Sequence, residues 1–320
     1  MSFIREKNAS LFIFLNALMW GSSYIWSKIL LDYLPYFTIL FLYSLGGFIF
    51  LTVFFFRKLV TIDRKTLLTG FGISMFSILS NISCMLALGS TSSSNTAFIV
   101  QMSVILTPLI MAAAERKSPG RRTVFSSCTA MLGTLLLTFD FGSFSFHPGD
   151  LFALANAVFF SLYIASQKLY AQKTDPVQFA IVQHIVSTAA YFCMAVIFGN
   201  RVTNIGKMSF MPLLVLALSI FISFSTILIQ TSALKFIRPE KAAVIYTLEP
   251  VAAAVLAYFL IGERMEGPAA YAGCMLIIVA VLSTIRFRAA QPQKSCRTSV
   301  SRQPSDILGI GVHSGGSSSL

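Results

Sequence analysis

LFIFLNALMWGSSYIWSK, residues 11–28, returns 140 positions later as LFALANAVFFSLYIASQK, residues 151–168. Leu11, Phe12, Asn16, Ala17 and Lys28 each meet an identical residue: Leu151, Phe152, Asn156, Ala157 and Lys168. Any two apolar stretches share hydrophobic residues, but a matched asparagine and a matched lysine are less easily produced that way, so the pair reads as an internal repeat. A second alignment agrees with it. At an offset of 148, Gln101 falls on Glu249 and Glu115-Arg116 on Glu263-Arg264. The chain therefore divides into two five-helix halves, near 10–140 and 150–287.

Composition places both halves in a bilayer. Hydrophobic residues make up 56% of the 320, charged residues 11%, and mean hydropathy is +0.77; soluble domains carry about 25% charged residues. A helix crossing a bilayer core needs about 20 apolar residues. Spans of that kind fall near 10–31, 36–56, 66–88, 93–114, 121–139, 150–168, 176–198, 210–232, 241–261 and 267–286. The apolar runs are continuous rather than alternating, which argues against a membrane β-barrel. The expected fold is all-α and polytopic, with ten transmembrane helices. Pro35, Pro176, Pro212, Pro239 and Pro268 stand at or near helix starts, where a missing N–H costs nothing. Residues 1–9 form a short basic N-terminus. The run after it is too long for a signal h-region and lacks a cleavage site, so it reads as an uncleaved first helix. Residues 288–320, rich in Ser, Gly and Gln, read as a disordered tail.

Charge orients the bundle. The net charge of +12 could suggest nucleic acid, but the cations sit in short clusters between apolar runs, with no long basic face. With the N-terminus placed inside, 20 Lys and Arg fall on the cytoplasmic side and 3 outside, a strong positive-inside asymmetry. Both termini are then cytoplasmic, in a plasma (inner) membrane. Five is odd, so the second half must enter from the opposite side, giving an inverted repeat of the kind common in secondary transporters. Cys84, Cys128, Cys193 and Cys274 fall within helices and Cys296 in the tail; none has metal-ligand spacing. No cofactor, metal or nucleic-acid partner is expected. The partners are a small-molecule substrate and the lipid bilayer; oligomeric state is left open.

Polar side chains inside a bilayer are costly, about 2.5–3.5 kcal/mol for a charge at a helix centre on insertion scales, and so mark candidate sites. Glu249 lies about eight residues into the ninth span, too deep for a short side chain to reach the interface. The neighbouring Pro250 removes the helical partner of the Tyr246 carbonyl, so a carboxyl, a carbonyl and a phenol would converge. A carboxyl there suits proton coupling or amine binding; the alternative is an interhelical hydrogen bond that pins the ninth helix. His184, near mid-depth in the seventh span, either shares a proton with Glu249, contacts substrate, or packs beside Gln183. Asn16, Trp20, Ser23 and Ser27 fall on one helical face, as do Asn156, Phe160, Tyr163 and Gln167. Both stripes read as cavity lining, with helix packing as the alternative. Gln101 and Tyr246 count with the cavity residues; Gln101, the mate of Glu249, cannot change charge, which confines any proton site to the second half. Lys28 either attracts an anionic group or snorkels to the headgroups. Gly46-Gly47, Ala112–Ala114 and Ala252–Ala254 offer places for close helix approach.

The stretches LMWGSSYIWSK (18–28) and LEPVAAAVLAYFLIGER (248–264) resemble the EamA-type family of the drug/metabolite transporter superfamily over about residues 10–287. The second stretch is close to that family's end-of-repeat pattern of Pro, small residues, apolar residues and Gly-Glu, often with Glu before the Pro. The first half departs from it: Met102 stands where Pro250 stands, and Ala114 where Gly262 stands. The resemblance implies export or exchange of small metabolites by alternating access, and no enzyme activity. Within it, proton-coupled export of metabolites such as amino acids is the leading expectation. Exchange of phosphorylated or nucleotide-linked solutes is the alternative, weakened because it needs buried cations. A membrane-embedded enzyme or sensor is a third, and the spans contain no HExxH, GxSxG or paired-aspartate arrangement to support it.

Overall fold

The computed structural model describes residues 4–88, 90, 93–138, 147–198, 208–261 and 267–286. These form twelve helical segments: α1 (Ala9–Leu31), α2 (Tyr36–Val60), α3 (Arg64–Leu88), α4 (Ser93–Val100), α5 (Ser103–Glu115), α6 (Arg121–Thr138), α7 (Pro148–Tyr170), α8 (Pro176–Ile197), α9 (Phe210–Ala233), α10 (Pro239–Tyr246), α11 (Leu248–Ile261) and α12 (Gly267–Arg286). No strand occurs among the described residues. Eight stretches there are helical, long and apolar enough to cross a membrane, one of them running through α4 and α5. The expected tail, 288–320, and the Gly262–Arg264 motif lie outside the described residues, as does the side chain of Lys28.

Two expected spans are not single helices. The fourth divides at Gln101–Met102 and the ninth at Thr247. At the first break the Met102 N–H donates to the Ile99 carbonyl and the Val104 N–H to the Gln101 carbonyl, both at 3.0 Å. These are i→i+3 bonds, the tighter 3₁₀ winding that marks hinges within helices. At the second, the Thr247 N–H donates to the Val244 carbonyl at 3.3 Å and its hydroxyl to the same oxygen at 2.7 Å. Pro250 accounts for that break: its ring crowds the Tyr246 carbonyl and it offers no N–H. The first half has Met102 at the matching place, and its only proline nearby, Pro108, lies deeper, inside α5.

Helix contacts follow a regular scheme. α1 packs on α9 and α11, and α7 packs on α3 and α5; α2 packs on α9 and α3 on α8. α2 pairs with α8 and α6 with α12. Exchanging α1–α6 for α7–α12 in order turns this set of contacts into itself. The α6–α12 pair is held at backbone distance by Gly133 and Gly273. A Cβ on Gly133 would stand 2.8 Å from the Gly273 carbonyl oxygen, and one on Gly273 2.5 Å from that of Gly133.

The surface is the reverse of a soluble protein's. Phe210 and Phe259 are each 76% exposed and Val53 70%, while Asn16, Thr134 and Gln230 are fully buried. Apolar side chains turned outward around an interior that also holds polar groups suit a hydrocarbon solvent, which also requires backbone groups to be satisfied within helices. The chain is a multi-pass membrane protein.

Candidate functional site

The polar stripes of α1 and α7 turn inward and meet. Asn16 Nδ2 donates to the Tyr246 hydroxyl at 3.1 Å, which donates to Gln230 Oε1 at 3.0 Å. Gln230 Nε2 donates to Gln167 Oε1 at 2.7 Å, and Gln167 Nε2 to Thr231 Oγ1 at 3.2 Å. Four interhelical bonds thus join α1, α10, α9 and α7 in one buried chain. A second chain runs from the Tyr163 hydroxyl to Gln183 Oε1, 2.9 Å, and from Gln183 Nε2 to Ser77 Oγ, 3.2 Å, tying α7 to α8 and α3.

Aromatic rings gather beside the first chain. Trp20 stacks on Tyr246 with ring centroids 5.0 Å apart and lies 5.4 Å from Phe160. Phe160 stands 6.0 Å from Tyr246 and 6.4 Å from Tyr163. Trp20 and Phe160, which match in the repeat, are each only partly buried. The rings are therefore partly accessible while Tyr246 joins them to the amide–phenol chain.

The second of the two helix breaks directly follows Tyr246 of this cluster. Gln101 sits at the first, 6% exposed, and Glu249 in the first turn of α11 at the second, 7% exposed. Glu249 makes no hydrogen bond or ion pair among the described residues. Its backbone abuts α1: a Cβ on Gly21 would lie 2.6 Å from the Glu249 carbonyl oxygen and 2.7 Å from the Ala252 Cβ. In the other half, Ser161, the mate of Gly21, donates to the Ala157 carbonyl at 2.8 Å and lies 3.4 Å from the Ser103 carbonyl at the start of α5.

Asn16, Trp20, Phe160, Tyr163 and Tyr246 come together. The Tyr246 phenol, expected to converge with the Glu249 carboxyl, hydrogen-bonds to Asn16 and Gln230. Ser23 donates to the Trp20 carbonyl of its own helix at 2.7 Å. Asn156 turns to α3, donating to the Ser80 carbonyl at 2.7 Å and hydroxyl at 2.9 Å. His184 is buried against α2, where a Cβ on Gly47 would lie 2.5 Å from its Cε1; no bond connects it to Glu249. Gln230 and Thr231 were not singled out from the sequence. An amide and a hydroxyl side by side in an otherwise apolar span were the available signal.

A profile of the EamA-like transporter family matches residues 7–139 and again residues 147–286. The chain belongs to the EamA-like transporter family. A relative is an uncharacterized transporter of Archaeoglobus fulgidus (strain ATCC 49558 / DSM 4304 / JCM 9628 / NBRC 100126 / VC-16). It is 28% identical over 280 residues, covering 87% of this chain and 86% of that protein. A solved crystal structure of another protein has the same fold, with a TM-score of 0.72 at 18% identity over 87% of this chain and 96% of that one. The EamA-like chain described here is a membrane transporter, and both copies of the family profile include one helix break.

Proposed function

We propose that this EamA-like transporter is a proton-coupled exporter of small metabolites, amino acids among them, working by alternating access between two inverted five-helix halves that make ten crossings. The observation that carries the reading is Glu249: a buried carboxyl without a hydrogen-bonding partner among the described residues, at a helix break beside an amide–aromatic cluster. An ionisable group is tolerated in a membrane interior when function requires it. Interrupted helices at matching places in two halves are where secondary transporters bind substrate and coupling ion. The exchange symmetry of the helix contacts and the excess of cations on one side support the inverted arrangement. In the cluster, Trp20, Phe160 and Tyr246 offer ring faces and Asn16, Gln167 and Gln230 offer hydrogen-bonding groups, which together suit a small amphipathic solute.

The test is transport in proteoliposomes under an imposed pH gradient, with counterflow of the same solute measured without one. Glu249→Gln keeps the shape and removes the titration. We expect gradient-driven flux to fall to background while counterflow continues. Unchanged gradient-driven flux in that variant defeats the coupling role.

A further inference from the structure

At the end of the bundle where α6 and α10 begin and α12 ends, a pocket of about 440 Å³ opens, separate from the amide–aromatic cluster. Arg121, Arg122, Arg238 and Lys241 line it, with Glu240 the only acid among the described residues that do. Arg238 is committed to carboxylates, at 2.8 Å from Glu240 and 3.0 Å from Glu115; Glu240 holds its guanidinium above its ordinary pKa despite partial burial. That ion pair neutralises the acid and leaves Arg121 and Lys241 in excess. Arg121 and Lys241 make no hydrogen bond or ion pair among the described residues. A pocket with surplus fixed positive charge recruits an anion, and basic pockets between transmembrane helices suit the headgroups of anionic lipids.

The surroundings favour a lipid over a soluble anion. Phe125, which also lines the pocket, is 64% exposed, and its neighbour Val124 is 46% exposed. They form an apolar outer face next to the basic one. A soluble phosphate gains nothing from that face, whereas an acyl chain would lie along it. We propose that this pocket holds the phosphate headgroup of an anionic phospholipid, with Arg121 and Lys241 at the phosphate oxygens and an acyl chain leaving past Phe125. Such a lipid would bridge α6, α10 and α12, next to the Arg238–Glu115 link between the two halves.

Native mass spectrometry of the purified full chain, offered equal phosphatidylglycerol and phosphatidylcholine of one chain length, reads this directly. The wild type should retain phosphatidylglycerol preferentially, also in excess inorganic phosphate. Arg121→Gln with Lys241→Gln should lower that preference at least about tenfold. The charge-preserving pair Arg121→Lys with Lys241→Arg should keep it, as should Arg64→Gln with Lys65→Gln at the start of α3. Should the double Gln variant lose its fold, each single substitution must still lower the preference. Equal preference after removal of both charges overturns the site. Displacement of the lipid by inorganic phosphate overturns the lipid as its occupant. Neither result bears on gradient-driven flux through Glu249.

Discussion

At the first helix break Gln101 occupies the place that Glu249 holds at the second. The helix that touches each break uses the same register position: Ser161 of α7 lies by the Ser103 carbonyl, and Gly21 of α1 by the Glu249 carbonyl. The contacting positions correspond, but the side chains do not: one break carries an amide and meets a serine, the other carries a carboxyl and meets a glycine. The second helix of each half shows the same contrast at its entrance. Pro35 stands before α2 and offers no side-chain cap; Asp175 stands before α8 and accepts from two backbone N–H groups. If geometry alone governed function, exchanging these residues between halves would be silent. If charge governs, the halves have divided the work, with titration in the second and a fixed polar contact in the first.

The largest expected effect breaks the comparison outright. In a Glu249→Gln background, Gln101→Glu supplies a carboxyl at the matching place. If the breaks are interchangeable, gradient-driven flux returns. We expect it to stay at background, because α11 meets α1 through a glycine and α5 meets α7 through a serine, so the two carboxyls would face different surroundings. Proteoliposome flux under a pH gradient decides between them.

Gly21→Ala and Ser161→Ala sharpen it next. A Cβ at Gly21 collides with backbone, not with a flexible side-chain tip, so α1 must move from α11 at a cost of about 1–3 kcal/mol. Ser161→Ala removes a hydroxyl bonded to its own helix and should cost less than about 1 kcal/mol. Thermal unfolding in detergent should rank them in that order. Equal costs would mean that the two breaks are held equally tightly.

Tyr246→Phe tests the chain between the halves. Its hydroxyl accepts from Asn16 and donates to Gln230, so removing it strands a buried amide and a buried carbonyl oxygen, at about 1–3 kcal/mol. Adding Asn16→Leu removes the stranded amide and leaves the bond from Gln230 to Gln167 in place. The double variant should recover part of the lost stability while solute binding, read by thermal shift, stays weakened.

What could be read beforehand follows from the solvent. A bilayer demands long apolar runs and tolerates few polar side chains, so span positions and the α1 and α7 stripes stood out against an apolar background. The second break was foreshadowed by Pro250. The first was not, because Met102 carries no local signal and the winding there is tight without a proline to force it. Sequence gave the depth of His184 but not which neighbour it faces. With lipid as apolar as leucine, no hydrophobic stripe reveals which side of α8 meets α2, and the absent side chain at Gly47 decides it. Asn16 and Asn156 match in the repeat yet find different partners, since those partners, Tyr246 and Ser80, do not occupy matching positions.

The smallest effect lies at the entrance to α8. Asp175 accepts from the Val177 and Gln178 N–H groups and pairs with Lys58 at 2.9 Å, with both side chains substantially exposed. Partial burial pushes its carboxyl up, but Lys58 and the two backbone donors outweigh this and hold it below the ordinary carboxylate value. A carboxyl lowered in the folded state stabilises fully above its unfolded pKa, and the contribution fades as pH falls through the folded value. Asp175→Asn keeps a capping oxygen and gives up the charge, so at neutral pH it should lose only about 0–1 kcal/mol, as for an exposed pair. On acidification the wild-type unfolding midpoint should descend toward that of the variant and meet it once Asp175 is protonated. The same two titrations performed on Pro35→Asp ask whether the first half accepts the device. Among the described residues no lysine is paired with that position, so the added acid should bring a cap without the ion pair and a weaker pH dependence. A dependence as steep as that of Asp175 would show that the cap alone, without Lys58, sets the carboxyl.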